Sequence, residues 1–296
     1  MKGIIPPLVT PLTGRDALDV AGLERLLEHV IAGGVHGVFL LGSTGEGPSL
    51  GHRLRRELVE RACRIVAGRV PVLVGVTDTA FTESVELARA AAEAGAQAAV
   101  LSAPYYFPAG QPELTEYLER LVPELGLPVY LYNMPSLTKV TFEVETLRRA
   151  MELPAIVGLK DSSGDLAYFR EVVRIAAGRP DWSVFMGPET RLAEALAMGA
   201  HGGVPGGANL APRLFVDLFE AGGRAPELQE RVVRLSRTVY AVGRHASAYL
   251  KGLKCALSLL GICDDFMAEP FSRFLPPERE RVHRHLIDLG LQPAGS

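Results

Sequence analysis

The sequence predicts an α/β protein, a (β/α)8 (TIM) barrel with a C-terminal helical appendage, and three observations lead there. Short apolar runs alternate with amphipathic stretches through eight strand-helix cycles between residues 3 and 221. The joints from helix back to strand carry glycine where a left-handed C-terminal cap is wanted, as in AGGVHG from Ala32, EAGAQA from Glu93 and MGAHGG from Met198. After Gly223 the pattern is helical only. A doubly wound open sheet is the structural rival, but the count of eight and the lack of a GxGxxG turn after the first strand favour the closed barrel. The expected organisation is a barrel over 1–224 and a helical extension over 225–296. No linker rich in Gly, Pro or Ser separates the two, so they are expected to form one structural unit.

Each element has its own warrant. Ile4, Ile5, Leu8 and Val9 suggest a first strand over 3–11, which Pro6 and Pro7 confine to a bulged or poorly paired form. Asp19 caps a helix on which Leu23, Leu26, Leu27, Val30 and Ile31 share a face, and Gly33 and Gly34 end it. The cycle then repeats: strand 35–42, helix 51–67, strand 70–76, helix 82–94, strand 97–103 and helix 112–121. It continues through strand 128–132, helix 143–151, strand 156–160, helix 166–177, strand 183–186, helix 191–198, strand 202–204 and helix 212–221. The appendage reads as helices over 226–242, 245–260 and 277–289.

Composition narrows the function classes. The chain has 296 residues, of which 48% are hydrophobic and 22% charged, ordinary values for a globular protein with a large core. A net charge of −3 offers no general attraction for nucleic acid or an anionic membrane. Pro6 and Pro7 break the N-terminal apolar run, and no later run reaches the length of a membrane span, so a cytoplasmic protein is expected. Cys63, Cys255 and Cys263 are odd in number and lack CxxC spacing, which fits packing and not a disulfide framework.

In such a barrel the reacting groups sit where strands end. The run Ile156-Val157-Gly158-Leu159 closes on Lys160, and burying an unpaired amine lowers its pKa from about 10.4 toward neutrality, which makes it a nucleophile. The bland alternative is a lysine that merely pairs with Asp161 or Asp165 at the rim. The second strand ends in GSTGEG from Gly42, where glycines let backbone N–H groups approach a ligand and Ser43 and Thr44 add hydroxyls. Such a turn is often only a turn. The fourth strand leads into Pro104-Tyr105-Tyr106-Phe107 and the fifth ends at Tyr132-Asn133-Met134-Pro135, aromatics that in isolation read as packing. Together, Lys160, Tyr132 and the Ser43-Thr44 turn supply an amine nucleophile, a phenolic proton carrier and a carboxylate cradle. That set suits a 2-oxo acid, because a lysine and a ketone give an iminium whose adjacent carbon can lose a proton.

GSTGEG at Gly42, PYYF at Pro104, YNMPS at Tyr132 and GLKDSSGD at Gly158, in that order and at strand ends, resemble the dihydrodipicolinate synthase and N-acetylneuraminate lyase family over about 4–291. The resemblance implies a metal-independent, class I, pyruvate-handling lyase or aldolase that needs no cofactor beyond the covalent lysine Schiff base, usually a homotetramer. It implies that Lys160 forms the Schiff base, that Tyr132 is the general acid/base and that Ser43 and Thr44 hold the pyruvate carboxylate. Tyr106 resembles an aromatic donated across a subunit interface to complete a relay through Ser43 to Tyr132, and the Val204 backbone resembles a further pyruvate contact. The partners implied are a small 2-oxo acid and an aldehyde.

Two departures bear on the second substrate. Synthases of this family place an arginine where this chain has Leu137, and leucine cannot reproduce a charged fork. Lys139, where glycine is usual, is a possible substitute. The sialic acid lyase subgroup carries an acidic and a hydroxyl group where this chain has Thr190 and Gly206. Ser162, Glu189 and Thr190 are positioned in sequence to meet hydroxyls. The expected acceptor is therefore an uncharged or hydroxylated aldehyde, or the reaction is cleavage of a 2-oxo-3-deoxy acid. The alternatives are 4-hydroxy-tetrahydrodipicolinate (dihydrodipicolinate) synthase activity in lysine biosynthesis and a non-catalytic 2-oxo-acid-binding barrel. A metal-dependent aldolase would need clustered ligands, whereas the histidines are dispersed.

Overall fold

The computed structural model describes residues 1–294. Eight parallel strands form one sheet: β1 (Gly3–Ile4), β2 (Val38–Leu40), β3 (Val72–Gly75), β4 (Ala98–Ser102), β5 (Val129–Asn133), β6 (Ile156–Asp161), β7 (Ser183–Met186) and β8 (Gly202–Gly203). From β2 to β8 each strand pairs with the next in sequence, and β8 returns to pair with β1 through Gly202 opposite Gly3. The ring closes beyond β1, where Pro7 bridges Phe39 in parallel and the Leu8 N–H donates to the Phe39 carbonyl at 2.8 Å. Only two residues of the expected first strand are regular, because Pro6 and Pro7 have no N–H to give. The ladder resumes through the Pro6 carbonyl, which accepts from the Phe39 N–H at 2.9 Å.

The outer ring is α1 (Val20–Ala32), α2 (His52–Val66), α3 (Phe81–Glu93), α4 (Gln111–Leu121), α5 (Val144–Ala150), α6 (Leu166–Ala176), α7 (Leu192–Ala197) and α8 (Pro212–Glu220). Asp19 caps α1 as expected, its carboxylate accepting from the Gly22 N–H at 2.8 Å. The left-handed glycines of the joints fall one residue past the right-handed C-caps, at Gly34 (φ 84°), Gly95 (φ 92°) and Gly199 (φ 100°). The structure adds to the elements read from sequence a hairpin pairing Leu12–Gly14 with Ala17–Leu18, a short helix, Pro135–Thr138, that comes after β5, and short 3-10 turns at Gly47–Ser49, Val122–Glu124 and Gly206–Asn209.

Strand alternation separates two cores. On β2, Phe39 faces the barrel interior with Ile5, Leu73, Tyr130 and Phe185, while Val38 and Leu40 face the helices. The appendage comprises α9 (Pro226–Thr238), α10 (Ala248–Leu259) and α11 (Pro276–Asp288). The expected helix 226–242 gives way after Thr238 to a tighter turn, Val239–Ala241. Residues 252–257 of α10 are buried without interruption, the pattern of a helix enclosed on all sides. All three cysteines are buried and unpaired, and no helix among the described residues is long and apolar enough to cross a membrane.

Candidate active site

Strand pairing explains why Lys160 points inward. Between β5 and β6 the register slips by one: Val129 lies opposite Ile156, but Tyr130 lies opposite Gly158. The extra residue, Val157, is a bulge that re-aims the side chains after it. Tyr132 then stands opposite Lys160, and Lys160 opposite Phe185 of β7. Gly158 leaves room for this arrangement, since a Cβ there would lie 2.3 Å from the Ser183 carbonyl oxygen and 2.6 Å from the Tyr130 ring. Lys160 is 7% exposed, with Nζ 3.8 Å from the Tyr132 ring centroid and 5.2 Å from that of Phe39.

Neither neighbouring carboxylate takes the lysine. Asp161 faces the other way and accepts from Asn133 Nδ2 at 2.8 Å and Ser163 Oγ at 2.9 Å. Asp165 caps α6, accepting from the Ala167 N–H at 2.8 Å and the Tyr168 N–H at 3.1 Å. Among the described residues no carboxylate forms an ion pair with Lys160, so the rim ion pair that the sequence left open is not made.

The Tyr132 hydroxyl lies 3.4 Å from Ser43 Oγ. Burial raises the pKa of this phenol, but the Lys160 charge and hydrogen bonds with Ser43, Lys160 and Ser162 outweigh it and hold the value below the usual 10. The Ser43-Thr44 turn is strained at two positions, with Leu41 at φ 60° and Glu46 at φ 55° in the left-handed region. It is also crowded: a Cβ on Gly47 would lie 2.2 Å from the Leu41 carbonyl oxygen. Contacts on two sides hold it. Thr10 Oγ1 donates to the Gly45 carbonyl at 2.6 Å. From the appendage, Lys254 Nζ meets Glu46 Oε1 at 2.5 Å, both side chains 1% exposed. Lys254 also donates to the Phe266 carbonyl, and Glu46 Oε2 accepts from the Ala268 N–H.

Above Lys160 and Tyr132 opens a cavity of about 670 Å³ that takes in every site residue expected from sequence except Tyr106. Ser43, Thr44 and Val204 line it near the lysine. The Val204 N–H is used by the Met186 carbonyl at 2.8 Å, which leaves its own carbonyl as the group it offers. Leu137 is 52% exposed. Lys139 ends the short helix at φ 62° and does not line the cavity, so Lys160 is the one cation in the lining among the described residues. Glu189 has both oxygens engaged, accepting from the Gly207 N–H at 2.8 Å and from Tyr240 OH at 3.0 Å. Burial pushes its pKa up to about 7 against the pull of the hydrogen bonds from Gly207, Tyr240 and Gly206. Tyr106 lies outside this cavity, 71% exposed, with its ring edge-on to Phe107 at 5.2 Å.

Sequence reasoning missed Tyr240 and Tyr249. Both belong to the appendage, where a tyrosine in an amphipathic stretch carries no local signal, yet both line the cavity. The available clue was Gly206, a bare backbone position at a strand end, where a side chain from elsewhere has room to enter.

A buried lysine that meets no carboxylate, a phenol of lowered pKa beside it and a hydroxyl-bearing turn are groups suited to forming and breaking an imine with a carbonyl compound. Among the described residues no three His, Cys, Asp or Glu side chains gather as metal ligands. The fold and the chemistry of these side chains are those of a lysine-dependent lyase of the aldolase class.

Known proteins agree. The sequence profile of the dihydrodipicolinate synthetase family matches residues 1–288. The structure of a dihydrodipicolinate synthase from Bacteroides thetaiotaomicron superposes with a TM-score of 0.94 at 53% identity, covering 97% of this chain and 98% of that one. YagE, a prophage protein of this family from Escherichia coli K12 solved in complex with pyruvate, gives 0.91 at 30% identity, covering 98% and 99%. The probable 2-dehydro-3-deoxy-D-pentonate aldolase YjhH of Escherichia coli is 30% identical over 300 residues, 99% of this chain and 98% of that protein. The chain belongs to the dihydrodipicolinate synthetase family.

Proposed function

We propose that this protein is a class I aldolase in which Lys160 forms a Schiff base with pyruvate and the resulting enamine adds to an uncharged, hydroxylated aldehyde, or that it runs the same steps in reverse on a 2-oxo-3-deoxy acid. The observation that carries the reading is the placement of Lys160, inward, 7% exposed and free of any carboxylate, beside Tyr132. Lys160 Nζ attacks C2 of pyruvate, and the carbinolamine loses water with a proton passed through Tyr132. The iminium then loses a proton from C3, giving an enamine that bonds to the aldehyde carbon while the aldehyde oxygen takes up a proton. Water then releases the product and regenerates the amine. Ser43 and Thr44 hold the carboxylate, with the Val204 carbonyl as a further contact. Ser162 and Thr190 face the acceptor's hydroxyls, and Glu189, both oxygens engaged, shapes that wall. Tyr106 completes the relay to Ser43 from a neighbouring subunit, which makes the working species at least a dimer and supports a homotetramer.

The acceptor is set by charge. With Leu137 at the cavity and, among the described residues, no cation besides Lys160 in its lining, a second carboxylate finds no partner there. One missing charged hydrogen bond costs about 1.5 to 3 kcal/mol, roughly a 10-fold to 150-fold loss in binding or rate. The 53% identity with a protein called a dihydrodipicolinate synthase favours a second reading, condensation with aspartate semialdehyde.

One experiment addresses both. Borohydride with pyruvate is expected to modify Lys160 and inactivate the protein, as read by peptide mapping, and kcat/KM is then compared for aspartate semialdehyde and neutral hydroxyaldehydes, with Leu137→Arg alongside. A modified surface lysine with Lys160 untouched sinks the mechanism. A wild type that prefers aspartate semialdehyde, with no gain in the arginine variant, hands the case to the second reading.

A further inference from the structure

Tyr249 reaches the Ser43-Thr44 turn from outside the barrel. It stands near the start of α10, and its hydroxyl lies 3.0 Å from Thr44 Oγ1. The phenol oxygen fills the space beside Gly206, where a Cβ would lie 1.7 Å away. The ring is held as well: it packs edge-on against Tyr240 with centroids 4.7 Å apart, and Tyr240 is tied to Glu189. Burial first, then the Glu189 charge, push the Tyr249 pKa up against the hydrogen bond with Thr44, and in that bond either hydroxyl has a proton to give.

A threonine hydroxyl has one proton and two lone pairs. When a fixed phenol donates to one lone pair, the hydroxyl's own proton is left to point elsewhere. We propose that Tyr249 is a positioning residue for the 2-oxo acid: it donates to Thr44 and thereby directs the Thr44 proton at the substrate carboxylate. Gly206 carries no side chain, and a phenol from the appendage occupies the volume beside it. Tyr249 thus acts on binding of the acid, through Thr44, and not on proton transfer at Lys160. The inference rests on the reading of this cavity as a pyruvate site.

The test is Tyr249→Phe, which keeps the ring against Tyr240 and removes only the donor. The KM for pyruvate is expected to rise about 3-fold to 10-fold, the scale of one neutral hydrogen bond, with kcat at saturating pyruvate within about 2-fold of wild type. The effect is expected to persist in a Thr44→Ser background and to vanish in Thr44→Val, where no hydroxyl remains to be directed. Gly206→Ala reaches the same contact from the other side and is expected to reproduce the KM change with Tyr249 intact. An unchanged KM in Tyr249→Phe or in Gly206→Ala overturns the proposal, as does an undiminished effect in Thr44→Val or a loss confined to kcat. Borohydride trapping of pyruvate on the wild type separates the two levels: without modification of Lys160 the pyruvate reading falls and takes this inference with it, whereas modification with a wild-type KM in the variants removes the inference alone.

Discussion

Lys160 and Asp161 are adjacent in sequence and face opposite sides of β6, which is why Lys160 meets no carboxylate among the described residues while Asp161 is consumed by Asn133 and Ser163. Glu189 shows the cost of burial at the same scale. Its folded pKa is raised from 4.5 to about 7, so between those values the folded protein holds a proton that the unfolded chain has released. Stability from this group is therefore full below pH 4.5 and is lost as pH rises through 7, by roughly 3 kcal/mol. Glu189→Gln cannot titrate, and its amide still offers one acceptor to Gly207 and one donor to the Tyr240 oxygen. Urea unfolding at pH 5 and pH 8 is expected to show that the variant loses less stability than wild type across that interval; parallel losses would contradict the assignment. That Lys160, Tyr132, Ser43 and Thr44 gather at one cavity was legible in sequence because a barrel presents together the residues that close its apolar runs. Tyr249 and Tyr240 were not, since their place at the site depends on how a chain segment more than 30 residues downstream of Val204 folds back, which no local pattern records.

At the scale of elements, the turn after β2 and helix α10 depend on one another. The turn holds leucine and glutamate in left-handed conformations, and the Glu46-Lys254 pair fastens it to a helix buried on all sides. Removing one partner of such a pair leaves an uncompensated buried charge, which costs about 3 to 5 kcal/mol. Lys254→Met is expected to lose stability on that scale in urea unfolding, and Glu46→Gln added to it to recover part of the loss. A single variant within about 1 kcal/mol of wild type would show that the pair is dispensable. The alternation of strands and helices was readable throughout because period 2 and period 3.6 leave distinct apolar patterns, and Asp19 marked a helix start that the structure confirms. The bulge at Val157 was not readable: a slip of one residue in pairing between β5 and β6 is a property of two strands, invisible in either alone. The hairpin over 12–18 escaped for a similar reason, its strands being only three and two residues long.

For the whole molecule, the unfinished surface is the turn after β4. Tyr106 and Phe107 meet edge to face and stand 71% and 80% exposed, an apolar pair that a lone chain leaves in water. If the proposed crossing is correct, each site takes Lys160 from one subunit and Tyr106 from another, and two damaged chains can repair each other. Lys160→Ala alone has no nucleophile, and Tyr106→Phe alone has no crossing hydroxyl. Co-expressed, random pairing makes about half of the dimers mixed, and one of the two sites in each mixed dimer combines an intact Lys160 with an intact Tyr106. Activity in the mixture is therefore expected to recover to about a quarter of wild type, well above the sum of the separate variants, and to disappear when the species are diluted below their dissociation range. Sedimentation of the same samples reports whether mixed species formed. Mixed dimers with no more activity than the two parents together would place Tyr106 in its own chain's site or remove it from the mechanism.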